Sequence, residues 1–317
     1  MRVPTATFHS ILLMGLTTTP LLCVSPAAAQ DVAASASAGQ PSSLPVLAEH
    51  RYRMLAKVRP LLFWISRDDV GGARITWRGD AGGDAGYELL IGSDPAKAPR
   101  RINRWGYIAE QSRGSHATVL GVMKQSNEKS IEEAQTQIGA SGTYVFKAIR
   151  ASAAGSEASA GVTTVHASRD FTYHDLGALL ELLSSVEPDA APKATALAPG
   201  AQPGFLMALA TLIEGSVHAR GAGSPKPLAV AYIYNGGTHD LKLRDTEFLT
   251  SATIGQRQYA DVIRGAFETR SRATGESTRF EVTYGAAGAL AGVPVHAVYQ
   301  PRWWFEVQLF LDDSIQF

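Results

Sequence analysis

The chain has 317 residues, 45% of them hydrophobic, with 29 Lys and Arg set against 29 Asp and Glu and a single cysteine. That apolar content supports a packed core and excludes a disordered chain. The even charge argues against nucleic acid or an anionic membrane surface as the main partner, and one cysteine excludes a disulfide framework.

The N-terminus reads as a secretory signal peptide. Arg2 supplies the positive region, Ile11–Val24 the apolar region, and Ala27-Ala28-Ala29 the small residues of a cleavage site, so cleavage is expected after about Ala29. The apolar run is shorter than the roughly 20 residues of a spanning helix. Cys23 follows Pro20-Leu21-Leu22, which are not the small residues that precede a lipidated cysteine, so it leaves with the signal. The expected products are a signal peptide (1–29), a flexible low-complexity leader (30–46) and a single α+β domain (47–317). The Pro/Ala-rich stretch 187–204 is where an internal division would fall. The destination is the periplasm or the extracellular space. The processed chain carries 28 basic residues, because Arg2 is one of the 29, against 29 acidic ones.

Leu61–Ser66 is apolar throughout and predicts a strand buried on both faces. Ser66–Gly72 predicts a tight turn carrying Asp68 and Asp69. Ala73, Ile75 and Trp77 alternate with Arg74, Thr76 and Arg78, and Tyr87, Leu89 and Ile91 share a face, so two strands flank the Gly/Asp loop 79–86. His116–Met123 is a further strand. Ile131, Ala134 and Ile138 predict a short surface helix over about 126–139, and strands return at 143–150 and 161–167. Thr172 and Asp175 form a capping box ahead of the stripe Leu176, Leu179, Leu180 and Leu183, the first of two central helices. Pro203 opens the second, which is apolar nearly all round from Phe205 to Ile213. Asn235-Gly236 signals a hairpin. Residues 258–270 fit helix or strand, with strand preferred. Phe280, Val282 and Tyr284 alternate, and Trp303, Phe305, Val307, Leu309 and Leu311 share one face of a last strand. The expected fold is α+β: a large curved antiparallel sheet or open barrel, with two central helices packed on it and one short surface helix.

Motifs for chemistry are absent from the sequence. It has no P-loop, no strand-linked glycine fingerprint, no G-x-S-x-G elbow and no paired histidines at zinc-helix spacing. The seven histidines after the signal are scattered. His174-Asp175 and His239-Asp240 are the His–acid neighbours, and both read as polar side chains facing water. No metal and no cofactor is expected.

Arg100–Glu110, RRINRWGYIAE, is the densest polar–aromatic stretch. As a strand it sends Arg101, Asn103, Trp105 and Tyr107 to one side, a candidate ligand-binding wall facing a cavity. The competing readings are cross-strand pairing of Arg104 and Glu110, or a bulge at Gly106 that restores an ordinary core for Trp105 and Ile108. Trp64, Trp77 and Trp304 are further candidates for a pocket lining. The function expected is an exported, non-enzymatic protein binding a small ligand or an envelope partner in its curved sheet. The alternatives are a hydrolase whose groups converge only in the fold, and a structural envelope component.

Overall fold

The computed structural model describes residues 44–59, 63–98, 101–124, 143–154, 157–168, 171–184, 193–196, 200–219, 228–234 and 237–317. The signal peptide, residues 30–43 of the leader, the surface helix at 126–139 and the Asn235-Gly236 turn lie outside the described residues.

The strands are β1 (Val46–Val58), β2 (Ile65–Gly79), β3 (Ala85–Ser93), β4 (Trp105–Arg113), β5 (His116–Lys124), β6 (Thr143–Ala154), β7 (Glu157–Ser168) and β8 (Lys193–Ala196), then β9 (Leu228–Tyr234), β10 (Gly237–Ile254), β11 (Arg257–Ser271), β12 (Ser277–Gly285), β13 (Pro294–Arg302) and β14 (Phe305–Leu311). Helix α1 (Leu176–Ser184) precedes β8, and α2 (Phe205–Ala219) precedes β9. All fourteen strands join one sheet in the order β8-β7-β6-β5-β4-β3-β2-β1-β14-β13-β12-β11-β10-β9. Every pairing is antiparallel. The protein is therefore mostly antiparallel β, a curled, barrel-like sheet with few helices. Its open edges are β8 and β9, while β1 and β14 pair in its middle.

The sheet curls because one face must be shared by distant strands. Helix α2 touches β3 of one wing and β9 and β10 of the other. Ala117, Val119 and Ala158 line a narrow apolar seam with Pro203 and Ile233, which belong to the opposite end of the sheet. The inner face is filled by the chain itself. Ala208, Leu212 and Ile213 of α2 pack on Leu241, Leu243, Ile263, Phe267, Val282 and Tyr284. The far half of the β10–β11 hairpin runs past the end of β12 and folds over Tyr52, Met54, Val307 and Leu311, contributing Tyr259, Val262, Leu249 and Ala252. Asp261, with φ 49°, marks the bend in β11. A third cluster lies on the outer face, where Leu176, Leu179, Leu180 and Leu183 of α1 cover Leu90, Trp105, Tyr107, Leu120 and Val122.

Four sequence expectations are corrected. Ser66–Gly72 is not a turn: it lies inside β2 as an irregularity, with a register shift between Met54 and Ala56 and Asp69 at φ 53°. Of Leu61–Ser66, the described Phe63 and Trp64 precede β2 at a hairpin end and are exposed, as is Ile65, so that apolar run is not doubly buried. Trp303 sits in the β13–β14 turn and is 67% exposed, off the face shared by Phe305, Val307, Leu309 and Leu311. His239 is 8% exposed, buried on the inner face with its ring stacked on Tyr232 at 5.4 Å. The capping box of Thr172 and Asp175 is present and opens a 3-10 turn, Tyr173–Asp175, that leads into α1.

Candidate functional site

The structure separates the four residues of the expected wall. Arg101 is exposed in a helical turn before β4, with φ 54°. Asn103 donates from Nδ2 to the carbonyl of Phe171 at 3.1 Å. Trp105 and Tyr107 are each 4% exposed beneath α1, where no ligand reaches their rings. The Tyr107 hydroxyl hydrogen-bonds Glu88, and burial pushes its pKa up. Glu88 in turn pairs with Arg78. Gly106 is not a bulge: it pairs with Ile91 and Met123 in unbroken register. Strand β4 is instead covered by α1 on its outer face, and on its inner face Glu110 is sealed by the first turn of α2.

The inner face of β4 ends in Glu110, 1% exposed. Its Oε1 accepts the backbone N–H of Leu206 and its Oε2 that of Met207, each at 2.8 Å. These are orphan donors of the first turn of α2, and a carboxylate there also meets the positive end of the helix dipole. Burial raises the Glu110 pKa to about 7, against the lowering effect of those N–H groups. Gly204 makes the approach feasible, because a Cβ at that position would collide with the Glu110 carboxyl.

A cleft of about 250 Å³ opens at the rim, where the β10–β11 hairpin end meets the end of β14. It is lined by Arg53, Asp68, Gln256, Arg257, Phe310 and Asp312, with Tyr259 behind them. Arg257 reaches Asp312 Oδ1 at 3.2 Å, and Arg53 pairs with Asp68. The Arg53 guanidinium lies 5.4 Å from the centre of the Phe310 ring. Hydrogen bonds from Ser314 hold the Asp312 carboxyl below its ordinary pKa, with Arg257 and Arg53 adding to the effect.

His50 meets a carboxylate: its Nδ1 lies 3.2 Å from Asp313 Oδ2, and its ring packs edge-on against Trp77 at 5.3 Å. No hydroxyl nucleophile contacts His50 among the described residues, so a hydrolytic triad is not assembled there. Among the described residues no group of three or more His, Cys, Asp and Glu is placed to hold a metal ion, and no helix is long and apolar enough to cross a membrane.

A crystal structure of a β-barrel-like protein of Domain of Unknown Function DUF1849 from Brucella abortus is similar over 84% of this chain and 97% of its own, with 9% identity and a TM-score of 0.41. No family model matches the chain. No curated protein matches it either.

The rim cleft and the Glu110 cap both escaped the sequence reading. Their residues come from β1, β2, β11 and β14 in one case and from β4 and α2 in the other, so no local spacing announces them.

Proposed function

We propose that the chain is an exported, non-enzymatic protein that binds a small polar ligand at the rim of its curved sheet. The observation that carries this reading is the cleft of about 250 Å³, on which two guanidinium groups, two carboxylates and the Phe310 ring converge. Helix α2 and the β10–β11 hairpin occupy the rest of the inner face. Ligand sites typically combine an aromatic wall with a few placed polar groups, and this cleft is at the small end of that range. The chemistry that fits is a small anion or zwitterion. Its anionic group would exchange with Asp312 on the exposed Arg257, and a cationic group would be met by Asp68 or Asp312. Export is supported by the N-terminal pattern of Arg2, Ile11–Val24 and Ala27–Ala29. Binding is preferred over catalysis because the sequence lacks nucleotide, zinc-helix and acyl-transfer motifs.

Mass spectrometry of small molecules that co-purify, followed by thermal-shift titration with amino acids, small carboxylates and phosphate esters, tests the ligand. Expected is a rise in Tm with one probe class that Arg257→Ala abolishes. A panel that leaves wild type unmoved, or that shifts wild type and Arg257→Ala equally, removes the reading. N-terminal sequencing of the exported chain, expected to begin near Gln30, tests localisation separately.

A further inference from the structure

At the opposite end of β14 from the cleft, two hairpin ends lie side by side. Val58 pairs with Ile65 on one flank and with Phe305 on the other, and the Arg59 N–H donates to the Trp304 carbonyl at 2.8 Å. The side chains there are apolar and open: Trp303 is 67% exposed, Phe63 61%, Ile65 51%, and Val58 and Trp64 38% each. Single exposed apolar residues are ordinary on a protein surface, but five on two adjacent hairpin ends form a patch. Here the charged residues beside the rings are Arg59 and Arg302, and neither makes an ion pair among the described residues. Arg59 instead lies over the Trp64 ring, 5.9 Å from its centre. The nearest carboxylate on these strands, Glu306, is engaged by Lys57 at 2.8 Å.

We propose that these two hairpin ends dock the protein on a phospholipid surface, with the rings at the level of the headgroups and Arg59 and Arg302 on anionic lipid phosphates. Three features favour a lipid surface over a second copy or another protein. The aromatic residues are two tryptophans and a phenylalanine, the side chains that settle at the membrane–water interface. The unpaired charges nearby are both guanidinium, complementary to an anionic headgroup. The rings lie beyond the last paired residues of their strands, at hairpin ends and not on a sheet face, and hairpin ends enter a deformable surface more readily than they match a copy of themselves. The neutral balance of the whole chain gives no long-range attraction, so docking is local and shallow. The inference rests on a part of the molecule separate from the rim cleft and stands or falls independently of it.

The test is co-sedimentation of the purified protein with vesicles of phosphatidylcholine alone, and of phosphatidylcholine with phosphatidylglycerol. Wild type is expected to partition to both and more strongly to the second. Phe63→Ser/Trp303→Ser is expected to weaken partitioning by roughly tenfold or more, and Arg59→Gln/Arg302→Gln to remove the preference for the anionic lipid. All preparations carry the same N-terminus, so any contribution from that segment is common to them. Should a variant fold poorly, wild-type protein with brominated lipid answers the question without substitution: quenching of the exposed tryptophans supports the proposal. Failure of wild type to sediment, equal partitioning of the Phe63/Trp303 variant, or absence of quenching would overturn it. So would a lipid-free dimer that the Phe63/Trp303 variant dissolves, because the patch would then belong to a second copy.

Discussion

Glu110 of β4 caps Leu206 of α2 from 96 positions away, Oε1 to N at 2.8 Å, and Met207 completes the pair. A strand side chain thus stands in for the short polar residue that normally sits just before a helix. The link has a pH signature. The folded carboxyl titrates at about 7 against an ordinary 4.5, so between those values the folded chain holds a proton that the unfolded chain has released. Stability from this group is fully present below about pH 4.5 and is lost as the pH rises through 7. A shift of that size is worth about 3 kcal/mol. Glu110→Gln cannot titrate. In urea unfolding, the stability of wild type minus that of Glu110→Gln is therefore expected to be larger at pH 5 than at pH 8. An equal difference at both pH values would contradict the raised carboxyl.

Gly204 and Glu110 should behave as one unit. Gly204→Ala places a methyl group against the Glu110 carboxyl, and the expected loss is about 2 kcal/mol from displacing a buried cap. In the background of Glu110→Ala, where the carboxyl is gone, the same substitution should cost much less. The double-mutant cycle, read from unfolding midpoints, checks this; additive losses would separate the two residues.

Phe317 stacks on Tyr173 with ring centres 4.3 Å apart, and it lies over Gly72, where a Cβ would come within 2.7 Å of the ring. Phe317→Ala is expected to lower stability by about 1–3 kcal/mol through lost stacking and packing. Gly72→Ala should lose stability too. Part of that loss should vanish when Phe317 is already alanine, leaving the part due to the nearby Tyr52 carbonyl. Thermal unfolding of the three variants measures it.

The β10–β11 hairpin end is held by packing more than by charge. Tyr259 is 9% exposed within the cluster of Tyr52, Val307 and Leu311, so Tyr259→Ala should cost about 3 kcal/mol or more. Arg257 and Asp312 form a solvated pair, and Arg257→Ala should change stability by less than about 1 kcal/mol. Hydrogen exchange along β11 would show increased opening in the first variant and little change in the second.

Strand parity was readable wherever one face alone meets a core. Ala73, Ile75 and Trp77 fall on the face that Tyr87, Leu89 and Ile91 share, as their registers require. The stripe Leu176, Leu179, Leu180 and Leu183 is buried under its own logic of helical spacing. Parity failed on β4 because α1 buries its rings on one face and the first turn of α2 buries Glu110 on the other, so no plainly polar side reveals its register. Its arginines, asparagine and rings then resembled a binding wall. The apolar run at Phe63–Ile65 failed in the opposite sense: its composition reads as burial, yet the three residues stand exposed at a hairpin end. The Glu110 cap was illegible because its two halves have no sequence relation.

The pairing of β1 with β14 divides the chain's assembly. The buried residues of the outer cluster all fall between Leu90 and Leu183, and those of the helix α2 cluster between Ala208 and Ala286. Each wing can therefore gather its own apolar nucleus through neighbouring hairpins with short loop closures, as two cooperative units. The middle cluster draws its buried residues from both, joining Tyr52 to Leu311 across 259 positions (311 − 52). Until that zipper closes, β1 and β14 are free edges open to strands of other chains, so the folding step most exposed to aggregation lies at the centre of the finished sheet.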